Sequence, residues 1–135
     1  YNKGSVVSKM IKDSYLHGKI YIEGNGLQTR DFLHVDDLSK AIIKILKKKK
    51  NIEGIFQLAT SKEVSILSLA KMIQKIFLVY KDKVVDIKFI KARIGDVKRS
   101  YSSINKIKNH LDWKPLEKIN EKHLKKLLEY YESRK

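Results

Sequence analysis

A mixed α/β domain is the fold class the sequence predicts, on three observations. Short apolar segments of strand character, at 19–23 (KIYIE), 55–59 (IFQLA) and the alternating stretch 83–90 (KVVDIKFI), stand between longer segments whose apolar residues recur every three or four positions. The two kinds do not alternate strictly from end to end, so a small mixed sheet with helices is expected rather than one repeating βα pattern. At 135 residues the chain can bury one real core and is too short for two ordinary domains.

Taken in order, Val6, Val7, Met10, Ile11 and Tyr15 fall on one helical face, with Ser5 placed to cap the start and Gly18 to end it. The strand at 19–23 runs into a Gly-Asn-Gly turn at 24–26, and a second strand through Phe32 to Val35 would complete a hairpin. Asp36 or Asp37 is then expected to cap a helix with the stripe Leu38, Ala41, Ile42, Ile45 and Leu46, whose carboxyl end carries Lys47 to Lys50, where cations suit the dipole. After a loop at 51–54, 55–59 reads as a buried strand, and Ser65 caps a helix burying Ile66, Leu69, Ala70, Ile73 and Phe77. The stretch 83–90 sets Val85, Ile87 and Phe89 against Asp86 and Lys88, a half-exposed strand. An irregular segment holding Arg93, Gly95, Asp96 and Arg99 leads to short helices at 105–111 and 120–131, separated by a turn at the only proline, Pro115. The opening Tyr1-Asn2-Lys3-Gly4, without methionine or a self-contained element before it, is how an excised domain would begin.

The formal charge of +15 raises the question of nucleic acid. Lysines are spread through every segment, however, and no aromatics interleave with the one dense run at 47–50, as a base-stacking platform requires. A solvated basic surface, equally attractive to small phosphorylated ligands, accounts for the charge better. No apolar run approaches the roughly 18 residues that cross a bilayer, and the amino terminus lacks signal-peptide design. With no cysteine, disulfides and thiolate metal sites are excluded, and a cytoplasmic setting is the expectation.

Only four of the 30 basic residues are arginine, at 30, 93, 99 and 134. In a lysine-rich background, an arginine kept at a turn suggests a need for the planar bidentate fork. Arg30 (QTRDF) and Arg93 (RIGD), each beside a turn, could jointly hold a diphosphate, with Asp96 accepting from sugar or ribose hydroxyls. The plainer alternatives are exposed salt bridges and an Asx turn. His34 with Asp36 and Asp37 lacks the further ligands of a metal set, so a structural histidine is expected. Gly24 and Gly26 are followed by a strand rather than a helix, so they do not form a dinucleotide-cradling loop. Trp113 beside Pro115 reads as a plug in a small core.

Four ordered motifs carry a resemblance: Gly24 to Leu38 (GNGLQTRDFLHVDDL), IFQLAT with a Ser-capped helix at 65, Arg93 to Asp96 (RIGD), and L-x-W-x-P at 111–115. Together they resemble the carboxyl-terminal half of the NAD-dependent nucleotide-sugar epimerases and dehydratases, the extended short-chain dehydrogenases. The resemblance implies that residues 1–135 are a nucleotide-sugar-binding lobe, a fragment whose Rossmann half is absent, with the Leu38 helix and the 55–59 strand packing onto the missing sheet. It implies Arg30 and Arg93 on the nucleotide diphosphate, Asp96 on the ribose and Phe32 lining the site. At the position before Gly24, commonly an aromatic near the base, this chain has Glu23. NAD and the catalytic Tyr-x-x-x-Lys pair would belong to the absent half, leaving this chain without catalytic, cofactor or metal ligands of its own; Tyr80 and Lys83 have the wrong gap. The implied partner is a nucleotide-diphosphate sugar, with homo-oligomerisation open. The competing expectation is a stand-alone basic module binding nucleotides or nucleic acid without catalysis, and the plainest is an inactive remnant.

Overall fold

The computed structural model describes residues 5–48 and 53–133. In chain order the elements are α1 (Val6–His17), β1 (Lys19–Glu23), β2 (Thr29–Arg30), α2 (Val35–Leu46), β3 (Val64–Ser65), α3 (Ile66–Lys81), β4 (Asp86–Ile90), α4 (Asn105–Leu111) and α5 (Glu121–Glu132). They fall into two compact units, one of Tyr1–Gln28, Ser65–Lys98 and Asn120–Lys135, the other of Thr29–Val64 and Arg99–Ile119.

In the first unit, the helix ends follow the local chemistry. The Ser5 hydroxyl accepts from the Ser8 amide, and Gly18, at φ 63°, closes α1 by donating to the Ser14 carbonyl. Ser65 and Asn120 cap α3 and α5 in the same way as Ser5, accepting from the amides of Ser68 and His123. Met10 and Ile11 from α1, Ile66, Leu69, Ala70, Ile73, Ile76 and Phe77 from α3, and Leu124 and Leu128 from α5 are buried with Ile20 and Ile22 of β1. Each of the Leu, Ile, Met and Phe side chains contributes about 1.5–3 kcal/mol when fully removed from water.

The strand pairing differs from the expected hairpin. β1 pairs in parallel with β4, in register from Lys19 opposite Asp86 to Glu23 opposite Ile90. Gly24 donates to the Ile90 carbonyl, extending the ladder, while Asn25 folds the turn by accepting from the Leu27 amide. Gly24 and Gly26 both have positive φ, and a Cβ on Gly26 would lie 3.0 Å from that of Leu67. The turn therefore leads the chain away from β1 instead of folding it back antiparallel. Beyond it, β2 is only two residues long and pairs with β3, so the expected strand through Phe32 to Val35 does not form.

In the second unit, Ala41, Ile107, Leu111 and Trp113 form the core, with Leu33, Ile45, Phe56, Leu58 and Ile104 packed against it. Residues 55–59 make no strand ladder, correcting the expectation there; Phe56 and Leu58 turn inward while Ile55 is exposed. Their alternation is that of an extended segment, and no strand ladder among the described residues includes it. His34, rather than Asp36 or Asp37, caps α2, its Nδ1 accepting from the Asp36 amide. Asp37 lies one turn inside and is fully buried: its Oδ2 accepts from the amides of Leu116 and Glu117, and its carbonyl from Trp113 Nε1 at 3.2 Å. Val35, Leu38, Ile42 and Leu46 leave an exposed apolar stripe along α2.

Candidate functional site

Parallel pairing puts the carboxyl ends of β1 and β4 side by side, and loops at such ends are where open α/β sheets hold ligands. The loops in question are 24–28 and 91–98, both in the first unit. They bring together two residues singled out in the sequence: Arg93 Nη2 donates to Glu23 Oε1 at 2.9 Å. Glu23 is anchored, its carbonyl accepting from Gln28 Nε2 at 2.8 Å. Its side chain is 29% exposed and that of Arg93 71%, and a pair so open to water is worth about 0–1 kcal/mol. Asp96 closes a tight turn, its amide donating to the Arg93 carbonyl at 3.3 Å across Gly95, whose φ is 79°.

Arg30 and Phe32 belong to the second unit, both half-buried. Arg30 sits on β2, with Nη1 donating to the Thr29 carbonyl at 2.8 Å. Next to it lies a cluster that the sequence does not reveal. Arg99 grips Glu63 with two donors, Nε to Oε1 at 3.0 Å and Nη2 to Oε2, and the Thr29 hydroxyl also donates to Oε1. Hydrogen bonds from Arg99 first and Thr29 second hold the Glu63 carboxyl down at about 2, and the same carboxylate raises Arg99. Asp31 Oδ1 accepts from the amide and hydroxyl of Thr60, while its Oδ2 is buried without a hydrogen bond. Glu63 and Arg99 stand 36 positions apart, and nothing in local pattern links them.

His34 behaves as a structural residue, and no metal-binding group of His, Asp and Glu exists among the described residues. Two lysines, Lys44 of α2 and Lys48 of the dense run after it, are structural as well. Lys44 donates to the Asp112 carbonyl at 2.7 Å and Lys48 to that of His110, closing the carboxyl end of α4. Lys49 and Lys50 lie outside the described residues. No helix among the described residues is long and apolar enough to cross a membrane.

Residues 5–125 match the family model described as GDP-mannose 4,6 dehydratase. The chain belongs to that family. It is thereby a member of the NAD-dependent epimerases and dehydratases that its four motifs resemble. UDP-glucuronic acid decarboxylase 1 of Xenopus tropicalis is 28% identical over 130 residues, 96% of this chain and 29% of that protein. The structure of UDP-glucuronic acid 4-epimerase from Bacillus cereus, in complex with UDP-glucuronic acid and NAD, superposes with a TM-score of 0.81 at 27% identity, covering 96% of this chain and 40% of that one. UDP-N-acetylglucosamine 4-epimerase from Methanobrevibacter ruminantium, in complex with UDP-N-acetylmuramic acid, gives 0.83 at 27% identity, with 100% and 41% coverage. The chain thus spans less than half the length of these relatives.

The residues of this member do not by themselves fit NAD. A dinucleotide pyrophosphate needs a glycine loop opening a helix, whereas Gly24-Asn25-Gly26 leads to the two-residue β2. The spacing Tyr-x-x-x-Lys does occur, contrary to expectation, at Tyr15 to Lys19 and Tyr131 to Lys135. Residues four apart share a face only on a continuous helix, and Gly18 ends α1 between the first pair. Lys135 lies outside the described residues.

Proposed function

We propose that this chain is the nucleotide-sugar-anchoring part of an NAD-dependent epimerase, dehydratase or decarboxylase, in which Arg93 and Arg30 bind the diphosphate, Asp96 the nucleotide ribose, Phe32 lines the site and Glu23 stands near the base. The observation that carries this reading is the parallel register of β1 and β4, which sets Glu23 and the Arg93 loop at the carboxyl end of the sheet in a chain of this family. NAD, when bound by chain outside these residues, supplies the hydride chemistry at the sugar. The part played by this chain is to bind and position: each arginine fork matches two phosphate oxygens, and a fixed diphosphate restricts where the sugar reaches.

Calorimetric titration with UDP-glucose, UDP and NAD, at low and moderate salt, tests the reading. The chain is expected to bind the two uridine nucleotides saturably and not NAD. Arg93→Ala and Arg30→Ala are each expected to weaken UDP about 10–100-fold, the worth of a hydrogen bond to a charged group at about 1.5–3 kcal/mol. Binding that scales only with ligand charge, disappears at moderate salt and ignores both substitutions would overturn the reading and favour a nonspecific basic module.

A further inference from the structure

We infer that Glu23 is the positioning residue for Arg93, holding its guanidinium ready for an anion of the diphosphate class; the inference rests on the phosphate role proposed above for Arg93. An acid beside a phosphate-binding arginine invites the opposite expectation, since a carboxylate repels a polyanion and competes for the donors. The geometry favours positioning. Glu23 closes β1 opposite Ile90, with its own carbonyl held by Gln28 and the following amide, that of Gly24, held by Ile90. Arg93 instead stands on the wholly exposed stretch 91–98, which bends at Gly95, and its guanidinium is tethered by a hydrogen bond to Glu23. The fixed partner is the acid and the adaptable one the arginine. A guanidinium carries five N–H donors, and the tether takes one of them, at Nη2. The rest of the fork stays available to phosphate oxygens. Without the tether, a long side chain on an exposed loop must be ordered by the ligand itself, which weakens binding.

Positioning and repulsion predict opposite signs for one substitution. UDP and inorganic pyrophosphate are titrated into the wild-type chain and into Glu23→Ala, Glu23→Gln, Arg93→Ala and the Glu23→Ala/Arg93→Ala double variant. Glu23→Ala is expected to weaken both ligands about two- to fivefold, the most that so exposed a tether can save in ordering one flexible side chain, even though it removes a negative charge. Glu23→Gln, which keeps an acceptor for Arg93, is expected to recover part of the loss. In the Arg93→Ala background the Glu23 substitution should weaken nothing. Independently of any ligand, the Arg93 Nε resonance in nitrogen-15 NMR should be distinct in the wild type and merge with those of mobile arginines in Glu23→Ala. Equal or tighter UDP binding by Glu23→Ala, with Arg93→Ala still impaired, would overturn the positioning role and leave the anchoring function standing. Unchanged binding by Arg93→Ala would remove the phosphate role and the inference together.

Discussion

Asp37 is the residue whose loss should cost the second unit most per atom removed. It is fully buried, and Oδ2 alone satisfies two amides, Leu116 at 2.9 Å and Glu117 at 2.8 Å, while Trp113 Nε1 donates to its carbonyl. Hydrogen bonds to a charged group contribute about 1.5–3 kcal/mol each, and the two amides would lose their partner together. Asp37→Ala is therefore expected to cost about 3–5 kcal/mol, out of a total near 5–15 kcal/mol for an ordinary domain. Asp37→Asn keeps an oxygen for both amides. It places an NH2 group where Oδ1 now lies buried without a hydrogen bond and 3.7 Å from the Lys40 ammonium, so an intermediate loss of about 1–3 kcal/mol follows. The assay is built in: Trp113 is the only tryptophan and is 2% exposed, so its fluorescence in urea follows the packing that Asp37 secures. A Trp113 transition in Asp37→Ala within about 1 kcal/mol of wild type would refute this account of the 113–117 segment.

Other substitutions test other parts of the molecule. Glu63, held near 2 in the folded chain against about 4.3 for a free glutamate, contributes stability that is present above pH about 4.3 and lost as pH falls toward 2; urea unfolding across this window should fall more steeply for wild type than for Glu63→Gln, and parallel curves would contradict the Arg99 pairing. Gly26→Ala adds a Cβ at φ 74° within 3.0–3.1 Å of Leu67 and Ile22 side-chain atoms, and thermal unfolding should register a loss of about 2–4 kcal/mol, whereas a loss below about 0.5 would mean the turn can shift freely. Ile42→Glu with Leu46→Glu should leave the fold intact and reduce self-association in sedimentation, since Leu46 is 77% exposed and continues the α2 stripe; a wild-type chain that stays monomeric at high concentration removes that role for the stripe.

Features set within a few residues are legible in the sequence. Ser5 and Gly18 around α1 and Ser65 before α3 act where their chemistry places them, and Trp113 plugs the small core as its neighbourhood suggests. Pairings over long separations are not legible in this way. The β1 alternation says that one face is buried but not that its partner is β4, more than sixty residues on; the nearer glycine turn suggests a hairpin instead. His34 and Asp37 both look local in sequence, yet Asp37 is turned inward by amides 79 and 80 positions away, which leaves the cap to His34. In the candidate site, Arg93 stands out by the scarcity of arginine and by its motif, whereas its contact with Glu23 needs the strand register to exist. The Arg99–Glu63 pair is hidden for the same reason.

The parallel ladder also bears on how the chain is made. During synthesis β1 leaves the ribosome well before its partner, because 62 residues separate Glu23 from Asp86. At about 5–20 residues per second, that interval is on the order of 3–12 s. For most of it Ile20 and Ile22 have only α1 for cover, α3 following from Ile66 onward, and the β1 backbone has no strand beside it. An unpaired apolar edge open for seconds is the kind of surface a nascent-chain chaperone holds.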